Sequence, residues 1–463
     1  MDLIVSISGI RGVIGRTLTP EVAVRYAAGF AEYCARAVPG NPAVVLGGDG
    51  RRSGRMVSDI VAGTLAAKGM HVRSLGVCPT PTVQMAVEHE HAAGGIAVTA
   101  SHNPMEWNGM KFIAQTGMFL DGGENREFWA LAGESQAYAD WQSAGTVADD
   151  TTWLRKHMDA VLGLSWIDPP SIRRRRFKVV LDCINAAGGA IVPALLDELG
   201  CTVVPLNCDV SGVFARTPEP VPENLGAVAA RVRQEKADIG IVVDPDVDRL
   251  VLIDERGEPY GEEYTVATAV DFVLRRTTQA GKGPSGPGQQ TVVVNLSTTR
   301  AVDDIAAAHG ARCLRTPVGE INVARRMKEE GAVVGGEGSG GVILPAVHLG
   351  RDAIVGIGLI LQALADSGTT VSGMKAALPQ YQIAKGKIAL GSVNAEEVMA
   401  RLEQAYAGRA QVNREDGLRF DFDDHWIHLR KSNTEPIMRI IAEARSAGEA
   451  NRAIDRVRQM IAR

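Results

Sequence analysis

The chain has 463 residues, enough for three or four domains of ordinary size. With 45% hydrophobic and 22% charged residues it has the make-up of a globular protein, not a disordered one. A net charge of −5 argues against whole-molecule attraction to nucleic acid or an anionic membrane, so affinity for small anions has to come from locally gathered basic residues.

The six cysteines (Cys34, Cys78, Cys183, Cys201, Cys208, Cys313) show no C-x-x-C spacing. That speaks against a zinc ribbon or a disulfide framework and for buried thiols in a reducing compartment. The apolar stretch ahead of Arg11 is too short for a signal peptide, and no apolar run approaches a membrane span. The expectation is a cytoplasmic protein without nucleic-acid or membrane partners.

In chain order, residues 43–46 read as a strand that ends in the turn Gly47-Gly48-Asp49-Gly50-Arg51-Arg52-Ser53-Gly54. Helical spacing follows over 56–68. The apolar run 95–98 ends in Thr99-Ala100-Ser101-His102-Asn103-Pro104, and runs 110–114 and 118–120 flank Gln115-Thr116-Gly117 like a hairpin. The order then repeats. A basic run, 173–176, reads as a solvated connector; a strand at 177–181, a turn at 185–189 and a helix at 191–199 follow. The apolar run 239–243 ends in Asp244-Pro245-Asp246-Val247-Asp248-Arg249, and a second hairpin-like pair covers 250–254 and 258–260. The third repeat has a helix at 264–276, a flexible loop at 281–290 and a strand at 291–294. Ser297-Thr298-Thr299 caps a helix over 300–308, and residues 332–334 lead into Gly335-Gly336-Glu337-Gly338-Ser339-Gly340-Gly341. Beyond 366–387 the pattern changes to a strand (387–390), a helix (395–406), two or three strands over 417–429 and 437–443, and a final helix over 447–461. The fold class expected is α/β with four domains: three similar units, each a mixed sheet between helices, and a smaller C-terminal α+β domain. The boundaries fall at 1–150, 151–256, 257–370 and 371–463.

Ligands of open α/β sheets bind at the carboxyl ends of strands, where these loops lie. Ser101 is a weak nucleophile unless a base or cation assists it; His102 and Lys111 are the candidates, with Lys111 favoured. Its plainer reading is a helix-capping serine in a turn. Asp244, Asp246 and Asp248 at alternate positions suit a hard cation of the Mg²⁺ type. Arg249 stands where the EF-hand turn requires Gly, and the flanks are strand-like, which speaks against a Ca²⁺ loop. Arg249 would stabilise developing charge if it does not merely pair with the aspartates. Glu337 and Ser339 on a glycine frame suit sugar hydroxyls. Arg430, Lys431, Ser432, Asn433 and Thr434, with Arg439 just after, make a candidate phosphate clamp.

These four segments, in this order, resemble the motifs of the α-D-phosphohexomutase superfamily, and most closely its phosphoglucosamine mutase branch. Smaller marks agree: Ser8-Gly9-Ile10-Arg11-Gly12, Pro79-Thr80-Pro81 and Thr316-Pro317-Val318-Gly319-Glu320. The resemblance implies four domains around a central cleft and a phosphoryl group on Ser101, with Arg11, His102, Lys111 and Arg249 in the catalytic set. It implies Mg²⁺ on Asp244, Asp246, Asp248 and the phosphoserine, and a hexose 1,6-bisphosphate activator. It further implies sugar contacts from Glu337 and Ser339, and phosphate contacts from Arg430, Ser432, Asn433, Thr434 and Arg439. The expected partner is a small phosphosugar, for a monomer or homodimer. The reaction implied is the interconversion of glucosamine 6-phosphate and 1-phosphate, with phosphomannomutase/phosphoglucomutase as the alternative. A phosphosugar phosphatase and a silent phosphosugar-binding protein are the other competing readings. Three positions depart from the family pattern. Pro245 replaces Gly in the metal loop, Lys431 adds charge to the clamp, and Gly341 stands where many members carry a histidine. His348 is the candidate substitute for that histidine in proton transfer.

Overall fold

The computed structural model describes residues 3–134, 137–279, 289–389, 394–431 and 437–462. It divides into two compact units, one of residues 1–265 and 340–375, the other of 266–339 and 376–463.

Two sheets organise the first unit. The larger has seven strands in the order Ile4–Ser6, Gly9–Val13, Trp107–Ala114, Gly94–Val98, Ala43–Gly48, His71–Val77, Val147–Asp149. Its parallel part centres on Ala43–Gly48, and Trp107–Ala114 runs antiparallel to both of its neighbours. Gly94–Val98 is buried along its whole length, as a near-continuous apolar run should be in a covered sheet. One cover is the helix Pro20–Ala37, started by the Thr19 cap and Pro20. Its Phe30 packs against Phe112 and Phe128 at ring-centroid distances of 5.1 and 5.8 Å.

The second sheet repeats the plan. Its order is Leu250–Ile253, Ile239–Val243, Lys178–Asp182, Thr202–Leu206, with the first pair antiparallel and the others parallel. In both sheets a buried strand leaves the parallel part, makes a loop at its carboxyl end and returns as its antiparallel neighbour. The serine loop and the aspartate loop are those two connections.

The two hairpin-like pairs are present: Ile113 bridges Phe119 and Ile253 bridges Pro259, both antiparallel, with Ala114 N donating to Met118 O at 2.8 Å and Tyr260 N to Leu252 O at 2.9 Å. One local expectation changes. The basic run is the last turn of a helix, Pro169–Arg175, with Arg176 in the left-handed region at φ 51°. Pro169 suits the first helical turn, and arginines at the carboxyl end complement the helix dipole.

The second unit contains the parallel strands Arg312–Thr316, Thr291–Asn295 and Val334–Glu337, so Glu337 lies at a strand's carboxyl end. The helix after Thr291–Asn295 is Ala301–Ala308, and Thr299 Oγ1 accepts from Ala301 N at 3.1 Å. A five-stranded antiparallel sheet follows, ordered Gln382–Ala389, Ile437–Ala444, Trp426–Lys431, Leu418–Asp421, Gln411–Asn413. Its apolar face, with Phe420, Ile427 and Ile440, packs on the helices Ala395–Tyr406 and Ala447–Ala462 through Leu402 and Val457. Most of the loop read at 281–290 lies outside the described residues. No helix among the described residues is long and apolar enough to cross a membrane.

Candidate active site

Ser101 is buried and held at φ 47°, a left-handed conformation that a serine adopts only when its surroundings impose it. The constraint is Arg51. Its Nε donates to Asp49 at 3.0 Å, Nη1 to Pro104 O at 2.8 Å and Trp107 O at 3.0 Å, and Nη2 to Asn103 O at 2.9 Å and to Ser101 O. All five N–H groups of the guanidinium are thereby used, four of them on the carbonyls of one loop. Asp49 also accepts from Thr99 Oγ1 at 2.6 Å, and Thr99 Oγ1 in turn accepts from Ser101 N at 2.8 Å. The turn Gly47–Gly54 therefore shapes the serine loop from the neighbouring parallel strand.

The aspartate loop faces this serine. Ser101 Oγ lies 3.3 Å from Asp244 Oδ2 and 3.3 Å from His102 Nδ1. Asp244 Oδ1 accepts from the backbone of Asp248 and Arg249 at 3.1 Å each, which leaves Oδ2 for the serine side. Lys111, on the strand after the serine loop, reaches across to Asp246 Oδ2 at 2.6 Å and Asp248 Oδ2 at 3.0 Å. Thr80 Oγ1 donates to Asp246 Oδ2 at 2.8 Å, and Arg351 Nη2 to Asp248 Oδ2 at 2.6 Å. Arg11 donates to Asn103 Oδ1 at 3.0 Å. Arg249 Nε stands 3.8 Å from Asp248 Oδ1, beyond hydrogen-bond distance.

Electrostatics separate these groups. Burial, with Asp248 and Asp246 beside it, pushes the Asp244 carboxyl well up. Burial would also raise Asp248, but Arg351, Lys111 and Arg249 outweigh it and hold that carboxyl low. Burial would lower Lys111, yet Asp246 and Asp248 keep it a cation. His102 is pushed down to about 2 by burial and by Arg249 and Arg11, so the ring beside Ser101 is neutral.

One oxygen each of Asp246 and Asp248, both Oδ1, is buried without a hydrogen-bond partner among the described residues. Ligand oxygens of Asp244, Asp246 and Asp248 lie within 4.8 Å of one another. Buried carboxylate oxygens left unpaired are costly, and a metal ion shared among the three would satisfy them. The triad could therefore hold a metal ion.

The second unit positions the remaining candidates. Glu337 Oε1 accepts from Asn295 Nδ2 and Gly319 N, both at 2.8 Å, and Ser339 is half-buried two residues on. Arg430 pairs with Asp416 at 2.8 Å, and Asp416 also accepts from Val318 N at 2.9 Å. Arg439 is exposed and directly opposite Arg430 in the antiparallel pairing. Ser432, Asn433 and Thr434 lie outside the described residues.

His348 does not lie over Gly341. Its Nε2 meets Asp352 Oδ2 at 3.1 Å, the oxygen that His157 Nε2 also meets at 2.7 Å, in a buried cluster closed by Thr82 Oγ1 on His157 Nδ1 at 2.8 Å. The side chain across Gly341 is that of Arg351. Asp49 and Thr80 were not singled out from sequence as site residues. Asp49 lies in the noted glycine-rich turn and Thr80 in Pro79-Thr80-Pro81, but only the folded chain brings them to the serine and aspartate loops.

Family models of phosphoglucomutase/phosphomannomutase match in order: α/β/α domain I over residues 3–137, domain II over 155–257, domain III over 263–381 and the C-terminal domain over 392–460. A protein of Thermococcus kodakarensis named phosphoglucomutase/phosphomannomutase is 36% identical over 453 residues, 96% of each chain. One of Methanopyrus kandleri named probable phosphoglucosamine mutase is 35% identical over 453 residues, 97% of this chain and 95% of that one. Among solved structures, a phosphoglucomutase/phosphomannomutase family protein of Burkholderia thailandensis superposes with a TM-score of 0.83 at 26% identity, covering 99% of this chain and 98% of that chain. The four-domain α/β fold, the serine facing three aspartates and this full-length similarity agree: the chain belongs to the α-D-phosphohexomutase superfamily, in the branch of the relatives named phosphoglucosamine mutase, and is an isomerase that works by intramolecular phosphoryl transfer.

Proposed function

We propose that the protein interconverts glucosamine 6-phosphate and glucosamine 1-phosphate through a phosphoryl group carried on Ser101 and a 1,6-bisphosphate intermediate. The observation that carries this reading is the Ser101 hydroxyl 3.3 Å from Asp244, on a loop whose carbonyls Arg51 holds. Phospho-Ser101 gives its phosphoryl group to the free hydroxyl of the sugar monophosphate: the Oγ–P bond breaks, the new P–O bond forms, and the proton of that hydroxyl ends on Ser101 Oγ, which restores the free serine. The bisphosphate, bound the other way round, returns its second phosphoryl group to Ser101. A hexose 1,6-bisphosphate primes the cycle.

Mg²⁺ fits the donor set, since Asp244 Oδ2, Asp246 Oδ1 and Asp248 Oδ1 are hard oxygens to which phosphoserine adds another. When bound, it supplies Lewis-acid charge for the phosphoryl oxygens. Lys111, Arg11 and Arg249 act electrostatically on the aspartate loop, and their fixed positive charge favours negative charge developing in the transition state. His102, neutral beside Oγ, keeps the serine side free of a further cation. Glu337 and Ser339 take the sugar hydroxyls. Arg430 and Arg439, with Ser432, Asn433 and Thr434, hold the phosphate that is not reacting. Arg430, paired with Asp416, and the exposed Arg439 stand directly opposite on adjacent strands, where like charges repel and a bound phosphate would add to the relief that Asp416 gives.

The amino sugar is supported by relatives of 31–35% identity named probable phosphoglucosamine mutase. The relative at 36% identity supports a second reading, phosphomannomutase/phosphoglucomutase. Phosphorus NMR of the protein with Mg²⁺ and a trace of hexose 1,6-bisphosphate decides between them. Glucosamine, glucose and mannose 6-phosphates are offered separately. Conversion fastest from the amino sugar supports the first reading, and faster conversion of glucose or mannose phosphate supports the second. Release of inorganic phosphate alone would make the protein a phosphatase and overturn both.

A further inference from the structure

Gly341–Leu344 and His348–Arg351 form an antiparallel hairpin in the first unit. A Cβ on Gly341 would lie 2.3 Å from Arg351 Cδ, 2.9 Å from Cγ and 3.3 Å from Cβ. The arginine stem therefore runs across the bare face of the glycine, and no larger residue fits at 341 while it does. The stem delivers Nη2 to Asp248 Oδ2 at 2.6 Å, the oxygen that Lys111 Nζ also meets at 3.0 Å. With Oδ2 held from two sides, Oδ1 is left unpaired, and that is the atom this carboxylate has to offer a cation.

Charge adds a second consequence. Arg11, Lys111, Arg249 and Arg351 act electrostatically on one another and on the aspartates. Four formal positive charges stand against the three of Asp244, Asp246 and Asp248. A dication meets no net negative charge there until phosphoserine adds about two.

We propose that Arg351 is a built-in counter-cation, seated against Asp248 by Gly341, that keeps the metal affinity of the aspartate loop low while Ser101 is unphosphorylated. The proposal rests on the assignment of the three aspartates as metal ligands made above.

Mn²⁺ binding tests it without reference to turnover. Ser101→Ala fixes the full chain in the unphosphorylated state, and Mn²⁺ affinity is measured by titration with electron paramagnetic resonance. Arg351→Met in that background removes the charge. Gly341→Ala keeps the charge but displaces the stem from Asp248. The expected result is at least tenfold tighter Mn²⁺ binding for Arg351→Met, about 1.4 kcal/mol, and a smaller gain in the same direction for Gly341→Ala. Affinities within twofold of the parent, or weaker, in a folded Arg351→Met protein would overturn the counter-cation role. A Gly341→Ala protein equal to its parent would overturn the seating. Asp246→Asn in the same background is the control: if it leaves Mn²⁺ binding unchanged, the metal-ligand assignment itself fails, whatever Arg351 does.

Discussion

Ser101 shows how much of a site resides in one residue's neighbours. Its hydroxyl is ordinary, but its left-handed backbone persists because one buried arginine takes up four loop carbonyls. Arg51→Ala is expected to leave Asp49 buried without its partner and to cost about 3–5 kcal/mol of stability, measured by urea unfolding; a loss under about 1 kcal/mol would show that water replaces the guanidinium. Arg51→Lys, with three donors for five acceptor sites, should recover only part of that. Ser101→Ala is expected to abolish isomerisation while substrate binding by calorimetry remains measurable; turnover near that of the parent would remove the phosphoserine assignment. The types of the principal residues were legible in the sequence, because serine before His-Asn-Pro and three alternating aspartates are uncommon patterns. The clamp was not, since Asp49 and Arg51 precede Ser101 by about fifty residues and only strand pairing between Ala43–Gly48 and Gly94–Val98 sets them beside it.

Among the elements, the strand Trp426–Lys431 carries a titratable group with a defined role. His428 Nε2 donates to Asp416 O at 2.7 Å, and its Nδ1 accepts from Ser297 Oγ at 2.9 Å. Burial pushes its pKa down to about 4. The unfolded ring titrates near 6.5, so between about 6.5 and 4 the unfolded chain binds a proton that the folded one does not. Stability from this group is complete above that window and falls as pH drops through it, by at most about 3 kcal/mol. His102 titrates with the same sign. The test is therefore the difference: His428→Asn should show a shallower loss of stability between pH 6.5 and 4 than the parent, and identical slopes would exclude the assignment. Most strands and helices were legible from period and punctuation. The returns at 118–120 and 258–260 were legible too, as antiparallel bridges to the strands before them; the helix Pro169–Arg175 was not, because a run of like charges carries no apolar period.

For the whole molecule, division into two units bears on how ligands stabilise it. The aspartate triad belongs wholly to the first unit, and Arg430 and Arg439 to the second. Calorimetry is expected to show Mg²⁺ at a hundred times its dissociation constant stabilising the first unit by about 2.7 kcal/mol, with the transition of the second unmoved; an equal shift of both would show that they unfold as one. Four domains in family order could be read directly, because apolar period, glycine turns and motif order are local properties of a chain. The chemistry of the serine and aspartate loops could be read for the same reason: a hydroxyl, three carboxylates and a lysine are chemically specific wherever they fold. Only the tertiary structure decided which atoms are free to act. Asp246 and Asp248 each keep one oxygen unpaired because Lys111, Thr80 and Arg351, from three distant segments, take the others. His348 turns to Asp352 and Arg351 fills the space over Gly341. Such choices depend on packing and on competition for hydrogen bonds between residues remote in sequence, and neither is encoded in any one stretch of the chain.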